Sequence, residues 1–153
     1  MGPTTNRIEK RIKLNRPRAR VWQALTDSAE FGSWFQAAFP EPFQPGARQN
    51  AQILYPGYEH LRFDIVVEKM EPMRLFSFRW HPNAIDPKRD YSNEPMTLVE
   101  FTLEDDGAGT LLTVRETGFE GIPIDRRAEA LNSNDGGWAA QMKAIEEYLR
   151  RHT

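Results

Sequence analysis

The residues that carry chemistry in most enzymes are sparse in this chain. Histidine occurs three times, as His60, His81 and His152, and cysteine not at all. A metal site built on histidines so far apart would need carboxylates from unrelated positions, so exposed imidazoles are the expectation and no metal ligand is assigned. Without cysteine there is no disulfide, no thiolate ligand and no thiol nucleophile. Strings that cradle phosphate or present a serine nucleophile are absent, as is H-E-x-x-H. Two acidic residues in apolar settings remain. Glu116 follows Leu112 and Val114 in strand phase, and Asp135, beside Asn134, falls on the apolar stripe of a helix. Each is a candidate buried polar group in need of a partner, the alternative for Glu116 being a surface place at a strand end. Glu116 and His81 are the candidates for acid or base work, but general acid/base catalysis needs a tuned group close to substrate, and sequence shows neither. No catalytic residue and no cofactor is assigned.

Aromatic residues are the stronger signal. At alternate positions, Phe76, Phe78 and Trp80 share one strand face, as do Val99, Phe101 and Leu103, and Leu61, Phe63, Ile65 and Val67. Rings on one sheet face either pack a core or wall a cavity inside it. The candidate ligand contacts are therefore Trp34, Phe63, Phe78, Trp80, Phe101, Trp138 and Met142, with Glu116 and Asp135 as polar members. The stretch "HPNAIDPKRDYSNEP" (81–95) has three prolines and no apolar period. It reads as a long loop, either mobile surface or the lip of a cavity, with Ile85 and Tyr91 as mouth contacts.

The elements that would hold these residues are readable in outline. "RIEKRIKLN" alternates as a strand with one wet face. "RPRARVWQALTD" suits a short helix with Pro17 at its first turn, and "SAEFGSWF" a second one capped by Ser28. After the proline-broken "PEPFQPG" come five strand-like stretches, "RQNAQILY", "HLRFDIVVEKM", "RLFSFRW", "TLVEFTLE" and "TLLTVRET". The Met70–Met73 proline turn and the glycine-rich loop from Asp105 to Gly109 should each join adjacent antiparallel strands. A helix from about Asp125, as N-cap, to about Arg151 would be about 40 Å long. Its apolar stripe runs through Ile124, Leu131, Trp138 and Ile145, with Ala128, Asp135, Met142 and Leu149 as the companion phase. The order describes an α+β domain, about six antiparallel strands with two short helices and a long C-terminal helix across them. Gly136 and Gly137 interrupt that helix at a cost of about 1 kcal/mol each. Gly136 reads as tolerated on the wet side; Gly137 lets the backbone approach an aromatic ring closely or leaves room for a ligand.

A chain of 153 residues is one domain's worth, taken as 1–153, and 39% hydrophobic against 27% charged residues describes a globular protein. Arg7, Lys10, Arg11, Lys13, Arg16, Arg18 and Arg20 crowd the start, yet the net charge is −2 and no nucleic-acid motif accompanies them, so a solvated strand face is preferred to a phosphate-binding stripe. Neither an apolar leader nor a membrane-length apolar run is present, and a cytoplasmic protein with no membrane or nucleic-acid partner is expected.

Six strings in order, "VWQALTD", Trp34 in "SWF", "PG" at 45–46, "VEKMEPMRLFSFRW", "GTLLTVRETGF" and "GGW" before the last helix, resemble the Hsp90-ATPase-activator-like branch of the START-like (SRPBCC) helix-grip superfamily. The resemblance runs from Ile8 to Leu149. It implies a curved antiparallel sheet gripping the C-terminal helix, with a cavity between them. For function it implies three classes. The first is a non-enzymatic binder of a small apolar or aromatic molecule. The second is an interaction protein that stimulates an Hsp90-type chaperone, and the third a cyclase or dehydratase of polyketide type.

Overall fold

The computed structural model describes residues 6–152. In β1 (Arg7–Leu14), Ile8 and Leu14 are buried while Arg7, Arg11 and Lys13 face water, the alternation of a strand with one covered face. Its cations are held by carboxylates: Arg11 by Glu9, Lys13 by Asp106 and Lys10 by Asp135, while Arg18 and Arg20, in the next element, meet Asp105 and Glu30. With Arg7 4.0 Å from Glu9, six of the seven cations have carboxylate partners within the fold; among the described residues Arg16 meets only the Asn15 carbonyl.

Two short helices follow, α1 (Arg18–Thr26) and α2 (Ser28–Phe35), then β2 (Ala37–Ala38), β3 (Arg48–Ile53), β4 (Arg62–Glu71), β5 (Leu75–Trp80), β6 (Thr97–Asp106), β7 (Gly109–Thr117) and the long α3 (Ile124–Arg151). All seven strands form one antiparallel sheet in the order β1-β7-β6-β5-β4-β3-β2. The turn at Met70–Met73 joins β4 to β5 and the glycine loop joins β6 to β7, as the turn chemistry predicts. A register shift between Val67 and Lys69 re-phases β4, so that Val67 lies opposite Phe78 and Met70 opposite Phe76, and both pack on the core.

The seventh strand, two residues long, is the one that sequence reading does not provide. It exists because α2 runs into it at close quarters: a Cβ on Gly32 would lie 2.3 Å from the Ala37 carbonyl oxygen, so only glycine fits there. The caps also move by one or two residues. Asp27, not Ser28, caps α2, its carboxylate accepting from the Ala29 and Glu30 amides. Pro17 is the N-cap residue of α1, and Pro123 rather than Asp125 precedes α3.

Leu131, Trp138, Met142, Ile145 and Leu149 of α3 are buried, but Ile124 is 78% exposed and Ala128 is exposed as well. The apolar stripe fails in the first two turns because they contact the 81–95 loop, for which Arg126 and Ala130 are the inward residues. No helix among the described residues is long and apolar enough to cross a membrane.

The space between sheet and helices is largely filled by rings. Phe31 of α2 has seven other aromatic rings within 4.7–6.4 Å, among them Phe76, Phe78 and Phe101 from the sheet. Phe78 and Phe101 are completely buried. Open volume lies outside this ring cluster.

Candidate functional site

Glu116 is the fourth inward residue of β7, after Thr110, Leu112 and Val114, and its strand is paired on both sides, with Ile8 and Val99 directly opposite. The period of two therefore drives a carboxylate into the core, where it is completely buried. Four donors meet it. Oε1 accepts from the Trp138 indole at 2.8 Å and the Asn134 amide at 2.9 Å, and Oε2 from the Trp80 indole at 2.8 Å and the Thr97 hydroxyl at 2.5 Å. None of these partners carries a charge. A carboxylate taken out of water costs several kcal/mol unless its lone pairs are satisfied, and here four donors occupy them. The indole N–H groups of Trp80 (β5) and Trp138 (α3) are in turn fixed on one point, so the rings stand side by side with centroids 5.7 Å apart and planes 31° apart. Phe35, at the end of α2, lies 5.9 Å from Trp80 and 6.1 Å from Trp138 and completes a three-ring wall.

Open space begins on the far side of that wall. A cleft of about 80 Å³ is bounded by Phe35, Trp80, Asn134, Gly137, Trp138 and Gln141. A pocket of about 290 Å³ shares Phe35, Trp80, Asn134 and Gln141 with it and extends past Phe63 and His81 to Tyr55, Tyr58 and Ile85. An outer depression reaches along α2 and α3 from Trp34 to Ala144, again sharing Phe35 and Gln141. Among the described residues no Asp, Glu, Lys or Arg lines the cleft or the pocket. Their polar side chains are the neutral amides, Tyr55, Tyr58 and His81, whose imidazole is pushed below its ordinary value, first by burial, against the opposing charges of Glu94 and Asp64.

One side of the pocket is the 81–95 loop, which is tied down rather than loose. Arg126 donates through Nε to Glu94 at 2.8 Å and through Nη1 to the Pro82 carbonyl at 2.8 Å. Its guanidinium lies over the Tyr91 ring, 4.7 Å from the centroid. Arg89 bridges Glu94 and Asp125, which lowers the Asp125 carboxyl and raises the guanidinium. The loop is therefore tied to the start of α3.

The model of the family described as Activator of Hsp90 ATPase homolog 1-like protein matches residues 15–150. The chain belongs to this family. Solved structures show the same fold at low identity. DynU16, a putative protein in the dynemicin biosynthetic locus, superposes with a TM-score of 0.73 at 24% identity, over 95% of this chain and 48% of that one. The chain thus spans about half of the DynU16 structure. Protein MLL2253 from Mesorhizobium loti gives 0.75 at 23% identity over 96% and 98% of the two chains, and the Aha1 dimer from Colwellia psychrerythraea 0.66 at 17% over 92% and 93%. No curated protein matches the sequence.

Within this helix-grip family fold the expected site residues separate into three groups. Phe63, Trp80, Trp138 and Ile85 do border the cleft or pocket, and Trp34 borders the outer depression while donating its indole to the Ala24 carbonyl. Phe78, Phe101 and Met142 are core, enclosed by other side chains. Glu116 stands behind the wall, not on it. Asp135 turns to the sheet edge and pairs with Lys10 at 3.1 Å, and Tyr91 covers Arg126 instead of the pocket mouth. Phe35, Tyr55, Tyr58, Asn134 and Gln141 are wall residues that the site list from sequence omits. Phe35 adjoins Trp34 and Asn134 adjoins Asp135, each about 100° around its helix from the residue that spacing selects, so the signal in both cases is a neighbouring position and not the phase itself. Among the described residues no three His, Cys, Asp or Glu side chains gather as a metal would require.

The expected close approach at Gly137 is absent: nothing lies within 4 Å of where its Cβ would be. The residue instead borders the cleft. Of the two reasons for a glycine there, room is the one the structure supports.

Proposed function

We propose that this protein binds a small, uncharged, apolar molecule with a flat face in the pocket between α2, α3, β4 and the 81–95 loop. One observation carries the reading. The two tryptophans that wall the cleft, of which Trp80 also walls the pocket, are held edge-on by a buried carboxylate, which favours a preformed aromatic surface over one that rearranges on contact. The volume lies near the lower end of the ~300–1,000 Å³ usual for small-molecule sites, so the ligand is compact. The absence of charged wall residues among those described favours a neutral molecule.

Native mass spectrometry of freshly purified protein tests this: a noncovalent adduct released by organic solvent supports it. If the protein is ligand-free and a panel of two-ring aromatics leaves tryptophan emission unchanged at millimolar concentration, the reading fails. An enzymatic reading that uses Glu116 as acid or base is disfavoured, because both its oxygens are already engaged. The family description favours a second reading, stimulation of an Hsp90-type ATPase. Addition of the protein to such an ATPase decides it, an unchanged turnover rate counting against it.

A further inference from the structure

The amide of Asn134 has two ends, and Glu116 assigns them. A carboxylate oxygen accepts, so the group facing Oε1 at 2.9 Å is the Nδ2 amide and the carbonyl oxygen Oδ1 is turned elsewhere. Among the described residues Oδ1 has no hydrogen-bond partner, and Asn134 borders both the cleft and the pocket, as do Trp80 and Phe35. An amide free to flip would offer a donor or an acceptor as needed. This one is locked, and what it offers is an acceptor.

A second group on the pocket wall is short of a partner. His81 Nδ1 is buried and makes no hydrogen bond among the described residues. Among the described residues no Lys or Arg lines the space to receive an anion, and no carboxylate lines it to receive a cation.

The geometry points to a ligand class narrower than a small apolar molecule: a neutral, flat ring system bearing an O–H or N–H donor at its edge, which donates to Asn134 Oδ1 while the ring lies against Trp80 and Phe35. Glu116 acts here as a positioning residue, setting which end of the Asn134 amide the ligand meets. The inference rests on the binding role proposed above. A site built to receive a hydrogen bond discriminates strongly against an analogue that lacks it, because an acceptor covered by the ligand is then left unpaired, whereas one methylene more or less on an apolar wall is worth only about 10–200-fold.

Three probes of similar shape separate the possibilities by isothermal titration calorimetry of the full chain at neutral pH: 2-naphthol, 2-methoxynaphthalene and naphthalene-2-carboxylate. The expected result is that 2-naphthol binds at least about tenfold tighter than 2-methoxynaphthalene, with the carboxylate weakest. In Asn134→Ala the naphthol advantage should shrink to less than about threefold while methoxynaphthalene keeps its affinity. Equal binding of naphthol and methoxynaphthalene to the unaltered chain overturns the inference and leaves the binding role standing. Tightest binding of the carboxylate overturns it too, since the wall would then hold a cation equivalent. Failure of all three to bind removes the binding role and this inference with it. Equal binding by the unaltered chain overturns the inference even if Asn134→Ala does not fold, and in the folded variant the collapse of the naphthol advantage separates the hydrogen bond from the bulk of the methyl.

Discussion

Gly137 gives the sharpest opposition between stability and binding. It sits inside a 28-residue helix, where glycine is less favourable than alanine by about 1 kcal/mol. No atom from outside its own stretch of helix lies within 4 Å of its missing Cβ, so Gly137→Ala gains that propensity without a clash. The expected stabilisation of about 0.5–1 kcal/mol corresponds to a rise in Tm of about 1–4 °C for a domain of this size. Gly137→Leu places four carbons in the 80 Å³ cleft against Phe35, Trp80 and Trp138. It should be at least as stable as the parent, because leucine is a good helix former and gains apolar contact, yet it should bind 2-naphthol at least about tenfold more weakly. Gly136→Ala is the control: nothing approaches its Cβ and it borders no pocket, so it should stabilise and leave binding alone. Thermal melts paired with probe titrations read both quantities. A Gly137→Leu protein that loses stability would mean that the backbone is in close contact after all. One that is stable and binds normally would mean that the cleft is not part of the site.

Other consequences follow from the same geometry. Glu116→Gln turns an amide NH2 toward two of the four donors, and the unpaired groups should cost about 2–4 kcal/mol in chemical denaturation; stability within 0.5 kcal/mol of the parent, an order-of-magnitude threshold for a surface change, would show that the four bonds are not made in solution. His81 has a folded-state value below its ordinary 6.5, so the unfolded chain takes up the proton first. The stability it permits is complete above that ordinary value and is lost as pH falls through the lower folded one; melts of His81→Gln between pH 7.5 and 5 should therefore fall less steeply than those of the parent, and parallel curves would contradict the burial of the imidazole. Arg126→Ala removes one of the two cations on Glu94, Arg89 remaining, and should destabilise by about 1–3 kcal/mol, with faster amide exchange in 81–95 than in β6 or β7; uniform exchange would mean that the loop is not anchored by this pair.

What could be read before folding, and what could not, divides along the range of the interactions. The strands of the meander were legible because each carries its own alternation and its own turn, Pro72 after β4 and Gly107 after β6. The inward phase of Glu116 was legible for the same reason. Its partners were not, since they come from β5, β6 and α3, and no local pattern announces that two indoles 58 residues apart will converge on one carboxylate. Helical phase distinguished the buried Trp138 and Met142 but not Asn134 from Asp135; Lys10, on the inward phase of β1, decides that by drawing Asp135 to the edge. Ile124 was assigned inward on spacing alone, and there the first turns of α3 contact a loop whose packing is ionic. The rings at Phe78 and Phe101 were rightly placed on the inner face, but whether an inner face is core or cavity depends on what fills it, and Phe31 fills it from another element.

The indole N–H signals of the protein provide the most direct measurement of ligand binding between α2 and α3. In a proton–nitrogen correlation spectrum the chain has four such resonances, from Trp22, Trp34, Trp80 and Trp138. Titration with 2-naphthol should move the Trp80 and Trp138 signals together and saturably, because their rings form the wall while their N–H groups stay on Glu116, and should leave Trp22 in place. Saturable shifts confined to Trp22 or to residues remote from the pocket, or no shift at millimolar probe, would contradict a ligand site at this wall.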